Sequence, residues 1–79
     1  MLEKLSNFKE GETGVVKSFD DDTMAAKFLT MGVIPGKSIQ LMRRIPFGGG
    51  LYIKVDDSNI AVRELEAKHI FVETESMDL

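Results

Sequence analysis

One histidine stands at the end of Glu66-Ala67-Lys68-His69. A carboxylate three residues ahead of an imidazole puts two metal-preferring groups on one face of a helical turn. Bundle di-iron proteins use the same spacing, but they need it twice, on long helices, with two further carboxylates pointing inward. The chain contains no second copy. The spacing therefore predicts a surface histidine beside acidic residues, with Glu66 and His69 offering at most a weak, non-catalytic contact to Fe²⁺ or Zn²⁺.

A second segment, Gly32-Val33-Ile34-Pro35-Gly36-Lys37-Ser38, ends like a phosphate-binding loop. Three residues rather than four separate its glycines, and Pro35 removes one amide from any cradle. A strand pattern follows where a helix N-terminus would have to meet the phosphates. The segment reads as a tight turn from helix to strand, with Gly32, Pro35 and Gly36 as its structural residues. Asp20-Asp21-Asp22 invites a hard cation but lacks the twelve-residue spacing of a calcium loop, so helix capping and solvation account for it.

Nucleophilic catalysis has little to draw on. The chain has no cysteine, hence no thiolate and no disulfide, and no serine neighbours His69 in sequence. At 79 residues, one small domain spanning 1–79 with its core at about 8–73 leaves no room for a multi-substrate pocket. We read no enzyme and no cofactor. The 10 Lys and Arg against 13 Asp and Glu give a net charge of −3, which provides no general field for nucleic acid. No run of eighteen apolar residues occurs, and the start Met1-Leu2-Glu3-Lys4-Leu5-Ser6 lacks a basic region followed by an apolar one, which predicts a cytoplasmic protein without membrane insertion. Binding is the remaining class. Met31, Met42, Phe47 and Tyr52 fall at the rim or outside of the elements below, and methionine and aromatic residues are enriched where partners dock.

The elements that must position these groups follow from periodicity. Residues 2–12 are polar and end in Glu10-Gly11-Glu12, and Thr13–Phe19 is β-branched and reads as a first strand. Met24, Phe28 and Met31, with Ala25 and Leu29 alongside, mark one helical face starting near Asp22, capped by an Asp of the acidic run or by Thr23. Gly32 and Pro35 stop this helix. After Gly36 the period becomes two. Ile39 and Leu41 point inward, and Ser38, Gln40, Met42 and Arg44 outward. Ile45 to Gly50 is a flexible connection, Leu51, Ile53 and Val55 form another buried face, and Asp56 to Asn59 turn into Ile60-Ala61-Val62. Arg63 to Lys68 suits one helical turn, His69 to Glu73 a closing strand, and the last six residues a frayed tail. About five short strands with one helix after the first predict a mainly β fold, a small antiparallel barrel whose closure removes exposed edges.

Three ordered blocks add a resemblance that composition does not carry: Phe28-Leu29-Thr30-Met31-Gly32-Val33-Ile34-Pro35-Gly36-Lys37-Ser38-Ile39, then Arg43-Arg44-Ile45-Pro46-Phe47-Gly48-Gly49, then Ile60-Ala61-Val62-Arg63-Glu64-Leu65-Glu66-Ala67-Lys68-His69-Ile70. Together they resemble the FeoA family. The resemblance implies an SH3-like β-barrel with an inserted helix. It also implies a small cytosolic accessory of bacterial ferrous iron uptake that acts on the permease FeoB, which carries a cytosolic GTPase domain. The same domain resembles the C-terminal module of iron- and manganese-dependent repressors, which makes a metal carrier or sensor the alternative. Self-association is left open. Many members have a proline after the loop glycines where this chain has Gly50, and its replacement predicts a more mobile loop before Leu51.

Overall fold

Hydrophobic residues at alternate positions of Ile39–Leu41 and Leu51–Val55 need a common face to bury, and the sheet provides it. The computed structural model describes residues 1–75. In chain order the elements are β1 (Leu2–Lys4), a 3-10 turn (Leu5–Asn7), β2 (Thr13–Phe19), α1 (Asp22–Met31), β3 (Ser38–Ile45), β4 (Gly50–Val55), β5 (Ser58–Val62), α2 (Glu64–Ala67) and β6 (Ile70–Glu73). One sheet of six strands runs in the order β1-β6-β2-β3-β4-β5, and every neighbouring pair is antiparallel. The fold is mainly β and SH3-like.

The strand count is six rather than about five, and the helix follows the second strand. β1 has only three residues and no alternation to betray it. Its structure comes from a distant partner, with Leu2 opposite Glu73 and Lys4 opposite Phe71. Full closure is also corrected, because β1 and β5 stand at the two margins with no ladder between them among the described residues. Thr74, expected to be frayed, is buried and donates both its N–H (2.8 Å) and its hydroxyl (3.0 Å) to the Met1 carbonyl. Glu75 is exposed, and residues 76–79 of the expected tail lie outside the described residues.

Helix α1 begins where Asp21 accepts the N–H of Met24 at 2.9 Å, and Asp22 places a negative charge in its first turn. It ends at Gly32, whose φ of 92° is left-handed. Gly32 N–H reaches Leu29 O, and Val33 N–H reaches Phe28 O at 2.9 Å, so the pair forms a Schellman stop. Ile34 to Lys37 then makes a type II turn, closed by Lys37 N–H to Ile34 O at 3.1 Å with Gly36 at φ 96°. The expected helix face is narrower than its spacing implies. Phe28 is fully buried with its ring 5.3 Å from that of Phe19, Met24 and Met31 pack half-buried on the core, and Leu29 is exposed.

Candidate functional site

The β3–β4 hairpin exposes Met42, Phe47 and Tyr52 together. Its ladder starts regularly, with Ile39 opposite Val55 and Leu41 opposite Ile53. It then shifts, so that Arg43 faces Tyr52 and Arg44 faces Leu51, leaving Met42 as the extra residue of a β-bulge. A bulge reverses which residues of a strand point inward. Arg43 therefore joins Tyr52 on the outer face, and Arg44, expected outward, shares the inner side with Leu51. The Arg44 guanidinium donates to the carbonyls of Ser6 and Phe8, the latter at 2.9 Å, and to Glu64 at 2.8 Å. Its backbone N–H donates to Glu10 at 3.0 Å.

At the tip, Gly49 N–H meets Pro46 O at 3.3 Å across Phe47 (φ 62°) and Gly48 (φ 71°). Two successive positive φ values make a type I′ turn, whose first central position favours asparagine, aspartate or glycine. Here it holds phenylalanine, and that ring is fully exposed, at 105%. Gly50 follows at φ 113°, which proline cannot adopt, and a Cβ there would lie 2.5 Å from Val62 O. The loop that read as a flexible connection is thus an ordered turn between paired residues Ile45 and Gly50.

Beside the bulge, Met42, Arg43, Tyr52, Ile53 and Asn59 line a shallow groove of ≈ 390 Å³. Met42 and Tyr52 are close to half exposed, and the Arg43 guanidinium lies 5.6 Å from the centre of the Tyr52 ring. Of the four residues expected to meet a partner, Met42 and Tyr52 come together here and Phe47 tops the same hairpin. Met31 does not line the groove, and it packs half-buried against the core at the end of α1. Arg43 was not legible as a site residue because nothing local in the sequence announces the bulge, and Asn59, read as a turn residue, stands in β5 opposite Lys54.

The candidate metal pair is divided between separate partners. Glu66 is buried, accepts the N–H of Arg63 at 2.9 Å and pairs with the ammonium of Lys27. Lys27 holds the Glu66 carboxyl below its ordinary range against the opposing effect of burial. His69 turns to Asp20, with Nδ1 2.7 Å from its carboxylate. Among the described residues no three His, Cys, Asp or Glu side chains surround a common point. The loop that mimics a phosphate site uses its amides internally, since Gly36 N–H donates to Val16 O at 2.8 Å and Lys37 N–H to Ile34 O.

The FeoA domain family model matches residues 3–74. The chain belongs to the FeoA family. An iron uptake regulatory protein, FeoA, is 27% identical with a TM-score of 0.80, over 92% of this chain and 97% of its own. Iron(II) transport protein A from Clostridium thermocellum is 30% identical with a TM-score of 0.81, over 91% of this chain and 45% of its own. FeoA of Stenotrophomonas maltophilia, solved with zinc and described as a prokaryotic SH3 domain protein, is 26% identical with a TM-score of 0.73, over 90% and 89%. A manganese-dependent repressor shares the fold at a TM-score of 0.83 and 21% identity, this chain spanning 42% of it. Comparison with curated protein sequences gives no match. Membership links the chain to ferrous iron transport, in a family of transport-associated domains rather than an enzyme class. No helix among the described residues is long and apolar enough to cross a membrane.

Proposed function

We propose that this FeoA-family chain is a non-enzymatic accessory of ferrous iron uptake that docks through its β3–β4 hairpin on the cytosolic part of a FeoB-type permease and modulates transport. The observation that carries this reading is Phe47. A fully exposed ring in a left-handed turn position gains nothing from the fold, and a structural requirement alone would select asparagine or glycine there. Met42 and Tyr52 extend the same surface down the hairpin, and an aromatic anchor beside a methionine-lined groove is the composition of a docking patch. Titration of the permease's cytosolic domain with the chain, in both nucleotide states, tests the reading. Saturable binding that moves the amide signals of the hairpin supports it, and no binding at high micromolar concentration overturns it.

The alternative is a module that itself carries or senses Fe²⁺, which the likeness to metal-dependent repressors and the zinc-bound relative bring to mind. In this chain it would require Glu66 to leave Lys27, whereas His69 would ligate through Nε2 with Nδ1 still on Asp20. Anaerobic calorimetry with Fe²⁺, using His69→Ala as control, separates the two.

A further inference from the structure

The outer face of β3, β4 and β5 carries two cations beside the groove. By register, Gln40 and Lys54 face Asn59 across the sheet, and Arg43 and Tyr52 stand beside Ala61. None of these positions is acidic, although 13 of the 79 residues are Asp or Glu. On β3 and the turn before it, Arg44 pairs with Glu64 and Lys37 approaches Asp56, whereas Lys4 and Lys17 on the far strands have no carboxylate within 4.0 Å among the described residues. Arg43 and Lys54 have no carboxylate within 4.0 Å among the described residues. Lys54 is two residues from Tyr52 on the same face of β4, roughly 7 Å along the strand. The methionine and tyrosine groove therefore has one cation forming its wall and another just beyond it.

We propose that this groove recognises a short acidic segment of the protein partner, with one apolar or aromatic side chain seated between Met42 and Tyr52 and flanking carboxylates on Arg43 and Lys54. The proposal rests on the reading that the hairpin docks a partner, and it names the chemistry that the partner must present. Complementary charge around an apolar seat gives such a contact its specificity and its association rate. A cation stacked on an aromatic ring would also suit single-stranded nucleic acid. The observations favour protein, because two cations on a chain of net charge −3 do not track a phosphate backbone, and the exposed Met42 and Tyr52 side chains make the seat apolar.

The test uses the whole chain and three probes: a capped hexapeptide of glutamates around a central phenylalanine, the same peptide with lysines, and a hexauridylate. Amide shifts locate binding, and sedimentation at the same concentrations reports self-association. The expected result is that the glutamate peptide moves Met42, Arg43, Tyr52 and Lys54, and that the Arg43→Glu/Lys54→Glu variant, checked by its melting curve, binds it about tenfold or more weakly. That variant should then prefer the lysine peptide. Equal binding of the two peptides, shifts away from this face, tighter binding of the hexauridylate, or self-association through the groove would each overturn the proposal. Retained binding of the permease domain by the charge-reversed variant would reject the acidic segment and leave docking intact. Peptide binding without domain binding would do the reverse.

Discussion

Arg44 on β3 and Glu64 at the start of α2 lie 2.8 Å apart, and the same guanidinium holds the carbonyls of Ser6 and Phe8. One side chain thereby ties the N-terminal segment, the central hairpin and the short second helix. It can do so only because the bulge at Met42 turns it inward.

Hydrogen bonds from a charged group to otherwise unpaired carbonyls are the stronger kind, so Arg44→Ala should destabilise the fold by about 1.5–3 kcal/mol. Its neighbour Arg43 points outward, and Arg43→Ala should stay within about 0.5 kcal/mol. Urea unfolding of both variants measures the contrast. Equal effects would contradict the bulge.

The stop of α1 gives a second contrast. No atom lies within 4 Å of a Cβ added at Gly32 or Gly36, so any penalty comes from their φ values of 92° and 96° alone. Gly32→Val should cost about 1–2 kcal/mol and lower Tm by roughly 4–8 °C per kcal/mol in a domain this small. Gly36→Val should change Tm in the same direction. Calorimetric melts decide it.

Much of this was legible because it is local. The cap at Asp21, the stop at Gly32 and the Pro35-Gly36 turn each depend on residues within one helical turn of one another, and all three stand where spacing puts them. Features set by distant partners were not legible. Lys27 meets Glu66 across 39 positions, β1 exists through its pairing with β6, and the bulge at Met42 emerges only when β3 is matched against β4. The residues expected to meet a partner divide the same way. Exposure of Met42 and Tyr52 follows from alternation, whereas the inward turn of Met31 depends on how α1 seats on the core.

Glu66 predicts a pH effect whose sign is fixed. Its folded carboxyl sits below the ordinary glutamate value of 4.5, chiefly through Lys27. Its contribution is complete above the unfolded value and is lost as pH falls through the lowered folded value. Glu66→Gln should therefore lower Tm clearly at neutral pH and much less near pH 3. A gap between variant and parent that does not narrow in acid would contradict the pairing.

Phe47→Asn should leave the melting temperature unchanged or raise stability by up to about 0.5–1 kcal/mol, because asparagine accepts the left-handed turn position more readily. Thermal unfolding monitored by circular dichroism is sufficient. A loss of stability would mean that the ring supports the fold after all.

The same substitution provides the most direct measurement of docking. The permease's cytosolic domain is titrated with the parent chain and with Phe47→Asn under identical conditions. Loss of an exposed aromatic anchor should weaken binding by at least about 2 kcal/mol, some thirtyfold, while the variant remains as well folded as the parent. Unchanged affinity, with the domain bound elsewhere on the chain, would contradict docking through the β3–β4 hairpin.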